Sequence, residues 1–260
     1  MLTPTIDSLS SSLAFNTVDP GNGSLRIQTI RDPQSPLLLN VYNELVVPLF
    51  SDTNDVDALS SIQKYMQDAD KLSSNCICYL CIAAIDTNEQ VLGATLFGLF
   101  SMGAYAFIKG EYTVIKPGAR QQGTLQKLLR SRLDVCKNEC VSRGLELGFA
   151  TIQVCSTEGA PYSRNLQRLW RLQGFRRIDF PFVQLPLRDD LQAITSFDLF
   201  FQPIAEVFRL RTSLTKDEIR AIVDASYTFR DSSTAPTQYE AYRRMQMYIE
   251  SQKRIPLCQQ

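Results

Sequence analysis

The run 111–129, EYTVIKPGARQQGTLQKLL, carries residues whose types and spacing suit anion binding and proton transfer. Its first part alternates like a strand and its last part has helical spacing. Arg120, Gln121, Gln122 and Gly123 fill the junction, followed by Thr124 and Leu125. A strand feeding a helix through such a loop offers backbone N–H groups with no internal partner, and the helix dipole adds partial positive charge there. That is a cradle for a pyrophosphate. Arg120 adds a cation at its mouth. Gly123 lets the backbone approach an anion with no Cβ in the way. Glu111, nine residues before Arg120 on the incoming strand, is the candidate general base. Period-two alternation places Glu111, Thr113 and Ile115 on one face of that strand. The competing reading of Glu111 is a surface carboxylate beside Lys109.

This run resembles the acyl-CoA-binding segment of the GNAT superfamily, the N-acyltransferases that use acetyl-CoA and related thioesters. The family signature is Gln/Arg-x-x-Gly-x-Gly/Ala after a strand that ends in a valine-and-proline stretch. Val114, Pro117, Arg120 and Gly123 fall in register, and Leu125 stands where the family prefers a second small residue. A second run at 165–175, NLQRLWRLQGF, resembles the later family segment in which an Asn opens a helix that ends in Gly-Phe. Its Leu166, Leu169 and Trp170 recur at helical spacing, and Gly174 sits at the C′ position. The strand-like ATIQV of 150–154 lies between the two runs. The resemblance covers roughly residues 25–201.

The resemblance implies a mixed α/β fold, with a mostly antiparallel central sheet splayed near its middle and flanked by helices. It implies acyl-CoA as co-substrate, acetyl first, and an amine-bearing small molecule or peptide as acceptor. Val114, Ile115 and Lys116 would line the cofactor with Arg120, Gln121, Gln122, Gly123, Thr124 and Leu125. Asn165 would hold the pantetheine arm, or else cap its helix. Trp170 occupies the place of the family's proton-donating tyrosine, and an indole cannot give up its proton at ordinary pH. Tyr162 is then the candidate acid, with Glu158 a weaker one. The thiolate leaving unassisted and taking its proton from water is a further route. An acyl-CoA-binding module without efficient transfer remains the reading from another class, supported by Trp170 and Leu125. Within the enzyme class the alternative is a fatty-acyl transferase that lipidates a peptide or small-molecule amine.

The chain has no histidine. Ser-His-Asp and Cys-His machinery are therefore excluded. A general base must be a carboxylate, a tyrosine, a cysteine or a water chain, which transfer from a thioester to an amine tolerates.

Composition sets further bounds. The chain's 260 residues, 44% of them hydrophobic, suffice for one large domain with a full core. Lys plus Arg equals Asp plus Glu at 27 each, so net charge makes no case for nucleic acid or an anionic membrane. No run of eighteen apolar residues predicts a membrane span, and no secretory signal is read at the start. Seven cysteines fit a reducing, cytoplasmic setting. Cys76, Cys78 and Cys81 cluster on a predicted strand, but a fourth metal ligand is missing. These three, with Cys136 and Cys140, read as core residues, and no metal is expected.

Around these residues the chain divides into a Ser/Thr/Asn/Gly-rich tail at 1–23, a GNAT-like domain at 24–212 and a C-terminal helical extension at 213–260. Helices are predicted over 36–46, 55–70 and 123–140, and strands over 25–30, 76–86, 90–101 and 105–116. Lys127, Arg130 and Arg132 read as a solvated helix face. Residues 177–187 and 197–203 read as a closing hairpin. Thr215-x-x-Glu218 and Thr237-x-x-Glu240 read as capping boxes that open the last two helices. On the last helix, Tyr239, Tyr242, Met245, Met247, Tyr248 and Ile249 form a stripe. It reads as core, or else as the wall of an acyl tunnel.

Overall fold

Three long strands, β2 (Cys76–Ile85), β3 (Val91–Met102) and β4 (Tyr105–Ile115), form an antiparallel meander of mostly buried residues. The β2–β3 turn is held by Asp86, whose Oδ1 accepts from the N–H groups of Asn88 and Gln90, both at 2.8 Å. The computed structural model describes residues 25–50, 56–120, 122–155, 161–187, 197–230 and 232–258. With β1 (Arg26–Ile30), β5 (Glu146–Cys155), β6 (Arg176–Arg177) and β7 (Phe197–Pro203), the meander builds a seven-stranded sheet in the order β1-β2-β3-β4-β5-β7-β6. Only β4 and β5 run parallel; every other neighbour is antiparallel. The sheet is mixed and mostly antiparallel, as the sequence resemblance implies.

Both faces of the sheet are covered. On one, Leu80, Ile82, Phe97, Ile108, Ala150 and Ile152 pack under α4 (Thr124–Val141) and α5 (Pro161–Leu172). A crossover helix between parallel strands lies on a sheet face by necessity, and α4 is that helix. On the other face, Tyr79, Cys81, Phe100, Phe107 and Phe149 pack against α1 (Pro36–Val41) and α3 (Leu59–Leu72). The helix predicted over 36–46 starts at Pro36, passes through a π-helical turn at Tyr42–Val46, and ends in α2 (Val47–Phe50). Phe100, Phe107 and Phe149 stack in sequence across β3, β4 and β5.

The C-terminal part follows the short α6 (Glu206–Arg209). The helices α7 (Lys216–Thr228) and α8 (Glu240–Ser251) are bracketed by a two-stranded ribbon of β8 (Ser213–Thr215) and β9 (Arg254–Pro256). Phe229 at the end of α7 sits among Tyr65, Tyr79 and Phe100, so this part shares the main core. Thr215 and Glu218 form the predicted capping box. The second box is not formed. Pro236–Gln238 makes a 3-10 turn that absorbs Thr237, and Tyr239 becomes the N-cap of α8. The predicted strand over 177–187 is also cut short. Only Arg176 and Arg177 pair with β7, followed by a single bridge from Ile178 to Leu257. Pro181 and Pro186 remove N–H donors from the remainder. No helix among the described residues is long and apolar enough to cross a membrane.

Candidate active site

The β4–β5 pairing runs from Tyr105 opposite Glu146 to Gly110 opposite Ile152 and stops there. Both strands continue, β4 over 111–115 and β5 over 153–155, each still bonded to its outer neighbour. The sheet is thus splayed, and the inner edges of the two strands offer backbone groups that no strand pairs with. Gly110 fits the apex because a Cβ there would lie 2.9 Å from Ile152 Cγ2 and 3.2 Å from Arg132 Nη1.

A bulge marks the same place. Leu96 faces Tyr112 and Phe97 faces Gly110, which leaves Glu111 as the extra residue. A bulge re-aims the side chains beyond it. Tyr112 and Val114 therefore join the α1–α3 core, while Ile115 packs on the α4 side. This corrects the alternation read from sequence: Glu111 does not share a face with Ile115 but interacts with Asp57 and Tyr79 on the α3 side.

At the open end of the splay, β4 turns through a 3-10 turn at Pro117–Ala119 into α4. Gly123 is the N-cap, with a left-handed φ of 74°, and no side chain caps the helix. The first N–H groups of α4 thus have no side-chain cap among the described residues, as an anion cradle requires. A Cβ on Gly123 would meet nothing within 4 Å, so it is backbone conformation that selects glycine there. Arg120 is exposed, and its Nε donates to the Ile115 carbonyl at 3.4 Å. Thr124 is buried and donates to the Ala119 carbonyl at 3.1 Å, which fixes the loop. Gln122 Nε2 donates to the Gly118 carbonyl at 2.8 Å. Lys116 Nζ pairs with Glu44 Oε2 at 2.7 Å. Val114 and Leu125 are buried. Gln121 lies outside the described residues.

Behind the bulge lies a buried polar cluster. Glu111, 15% exposed, is ion-paired with Lys109, which is 3% exposed; Oε1 of Glu111 has no partner among the described residues. Burial raises the Glu111 carboxyl above its ordinary range and Lys109 opposes this. Asp57, 7% exposed, enters from the segment before α3. Its Oδ2 accepts from Tyr112 at 2.8 Å and its Oδ1 from Tyr65 at 3.3 Å. Burial pushes the Asp57 carboxyl up to about 7, with Glu111 adding to the rise while Tyr112, Lys109 and Tyr65 oppose it. The buried Tyr79 hydroxyl and Gln153 Nε2, on β5 just past the last β4–β5 pair, have no partner among the described residues. Sequence reasoning missed Asp57, Tyr65, Tyr79, Tyr112 and Gln153. Lys109 it met only as a neighbour of Glu111.

The second motif is placed differently. α5 begins at Pro161, so Asn165 is an exposed residue inside the helix and caps nothing. Trp170 is buried against Phe175, with ring centroids 5.2 Å apart. Gly174 has φ 85°, and Phe175 N–H donates to the Trp170 carbonyl at 3.1 Å, the helix stop read from sequence. Tyr162 lies in the first turn of α5, with its side chain outside the described part; Glu158 lies outside the described residues. Arg132 is not on a solvated face: it is 1% exposed. Cys76, Cys81, Cys136 and Cys140 are buried and free, Cys78 is half-buried, and no metal-holding group occurs among the described residues.

A mostly antiparallel sheet, splayed at its one parallel pair and leading into an uncapped helix, completes the architecture. This is the arrangement that the sequence resemblance implies. Among solved structures, the chain is similar to one described as a GNAT-family acetyltransferase from Bacteroides thetaiotaomicron, at 14% identity, covering 71% of this chain and 90% of that one, with a TM-score of 0.49. It is similar to an acetyltransferase of the GNAT family from Staphylococcus aureus Mu50, at 12% identity, 69% and 100% coverage and a TM-score of 0.45. It is similar as well to an acetyltransferase from Streptococcus agalactiae, at 13% identity, 69% and 98% coverage and a TM-score of 0.44. No family model and no curated protein matches the chain. At these identities and TM-scores the likenesses carry no argument, and the chemistry rests on the splay and its side chains.

Proposed function

We propose that this protein is an acyl-CoA-dependent N-acyltransferase that moves an acyl group, acetyl first, to an amine on a small molecule or peptide. The observation that carries the reading is the end of β4–β5 pairing at Gly110–Ile152, with the free β4 edge leading straight into the uncapped N-terminus of α4. An extended pantetheine arm fits between free strand edges, and a pyrophosphate fits a helix N-terminus. Residues 121–125 would hold the pyrophosphate through backbone N–H groups with Arg120 beside them. Val114, Ile115 and Lys116 would line the arm, and Asn165 and Trp170 would belong to the opposite wall on α5.

Bound acyl-CoA supplies the thioester, whose C–S bond breaks as the amine nitrogen bonds to the carbonyl carbon. N–H groups on the inner edge of β4 donate to the carbonyl oxygen as it gains charge. Glu111 takes the proton the amine releases, through a water, on its unpartnered Oε1. Tyr162 or water returns a proton to the thiolate. Burial of Met245 and Ile249 in the core supports a short acyl group over a lipid chain. The free cysteines support a reducing, cytoplasmic setting.

A noncatalytic acyl-CoA-binding module is the second reading, favoured by the Lys109 pairing of Glu111 and by the burial of Trp170. Thiol release from acetyl-CoA, followed across an amine panel and a pH series, separates the two. Turnover on at least one amine, lowered about 100- to 10,000-fold in Glu111→Gln with CoA affinity kept, is the expected result. Binding of acetyl-CoA with no turnover on any amine sinks the enzyme reading.

A further inference from the structure

Arg132, near the middle of α4, is among the largest fully buried side chains at 1% exposure, yet its Nε and Nη1 have no hydrogen-bond partner among the described residues. No described carboxylate pairs with it, and burial pushes its guanidinium down to about 10. A buried charge without a counter-ion is strongly unfavourable, and a planar fork of N–H donors matches the geometry of an oxyanion. Arg132 also lines a groove of about 440 Å³ beside α4. Arg130 and Lys137 line it too, against Asp134 as the opposing charge, and Gln126 and Gln202 add amide groups. The side chain of Gln202 is held in place by its 2.6 Å bond to the Gln173 carbonyl. The groove is thus net positive, has Leu129 and Leu133 among its polar and charged lining, and is lined by an arginine with no ion-pair partner among the described residues.

We propose that this groove is a binding site for a small oxyanion, a carboxylate or a phosphate group, held by Arg130, Lys137 and the part of Arg132 that lines it, with Nε and Nη1 of Arg132 buried behind the wall. The anion has two possible sources. One is a free metabolite entering the groove. The other is an anionic group on the acyl-CoA itself, such as the carboxylate of a dicarboxylic acyl chain. Nη1 lies 3.2 Å from where a Cβ of Gly110 would be, and Gly110 is the last paired residue before the splay. This second source rests on the acyl-CoA reading, whereas the first does not.

The test uses the full chain, by titration calorimetry and thermal melting at fixed ionic strength. The probes are inorganic phosphate, succinate, acetyl-CoA and succinyl-CoA, applied to wild type, Arg132→Met and Arg132→Lys. Phosphate and sulfate stabilise proteins generally, so only differences from Arg132→Met count. Arg132→Met is expected to melt no lower than wild type, since it removes an unpaired buried charge. A free-metabolite site gives saturable binding of phosphate or succinate that Arg132→Met loses and Arg132→Lys weakens. An acyl-borne anion gives succinyl-CoA at least about tenfold tighter binding than acetyl-CoA, with the preference lost in Arg132→Met and acetyl-CoA affinity kept. Should Arg132→Met fail to fold, Arg132→Lys and the wild-type preference decide. Wild type that binds neither free anion and does not prefer succinyl-CoA overturns the proposal. Failure of every CoA thioester to bind, with succinate still bound, overturns the acyl-CoA reading and leaves the anion site standing.

Discussion

The phenol of Tyr112 donates a 2.8 Å hydrogen bond to Oδ2 of Asp57, and the Asp57 backbone N–H donates at 3.1 Å to the same phenol oxygen. This reciprocal pair ties the segment before α3 to β4, one residue past the bulge that aims Glu111. The Tyr42 hydroxyl adds a bond to the Asp57 carbonyl at 3.0 Å. The helical layer over this face is thereby held against the strand that carries the candidate base.

Asp57 makes stability depend on pH in a defined direction. Its carboxyl is pushed up to about 7 in the fold, above its ordinary value, chiefly by burial. The native state therefore keeps a proton that the unfolded chain releases, and stability falls as pH rises from about 4 to about 7. The loss is on the order of 4 kcal/mol once both states are ionised. Asp57→Asn should flatten that window in urea melts taken between pH 4 and 8. An unchanged slope would mean that another group carries it.

Tyr112→Phe should act through the same pair. It removes the donor to Oδ2 and the acceptor for the Asp57 N–H, costing about 1–3 kcal/mol for buried groups left unpaired. The midpoint of the Asp57 titration should move further up, because Tyr112 opposes its rise. A carboxyl-reporting NMR titration of the variant, compared with wild type, checks the direction.

In the cradle, Gly123→Ala and Gly123→Asp should differ in kind. Either forces a Cβ into a left-handed backbone, which costs about 1–2 kcal/mol of stability. Only aspartate adds bulk and negative charge where a pyrophosphate would sit. Melting curves should show a similar loss for both, and CoA affinity should survive in the alanine variant alone. Arg120→Ala should weaken CoA by roughly 1–3 kcal/mol, the range for charge-assisted hydrogen bonds.

The stripe on α8 sorts into core and surface. Met245 and Ile249 are buried, Met245 Sδ lies 3.8 Å from the Tyr227 hydroxyl, Tyr242 packs edge-on against Tyr227, and Met247 is exposed. Met245→Ala should cost about 2–5 kcal/mol, as truncation in a packed core does. Competition between acetyl-CoA and longer thioesters should be unmoved. A shift in acyl preference with an unchanged melting temperature would instead identify a tunnel.

The strand-to-helix junction at Gly123 was legible in the sequence because its signals are local. Strand alternation gives way to helical spacing at Gly123, and a glycine at a left-handed N-cap leaves its mark at one position. Gly174 was legible for the same reason. The bulge at Glu111 was not, because an extra residue shows only in register with β3, and the alternation of 111, 113 and 115 hides it. Asp57 was invisible because its partner Tyr112 is 55 residues away and no local pattern links them. Arg132 looked like one more charge on a basic helix face. Its burial depends on β5 and Gly110 lying beneath it, which spacing along α4 cannot reveal. The box at Thr237 failed because Pro236 starts a 3-10 turn one residue earlier.

The central claim, that the splay between β4 and β5 with the N-terminus of α4 is an acyl-CoA site, is tested most directly by titration calorimetry of CoA and acetyl-CoA. The proteins are the folded wild type and folded Gly123→Asp, each checked by melting beforehand. Saturable one-to-one binding to wild type and none to the variant is the predicted result. Equal affinity in the two proteins, or no binding to wild type at all, would contradict the account.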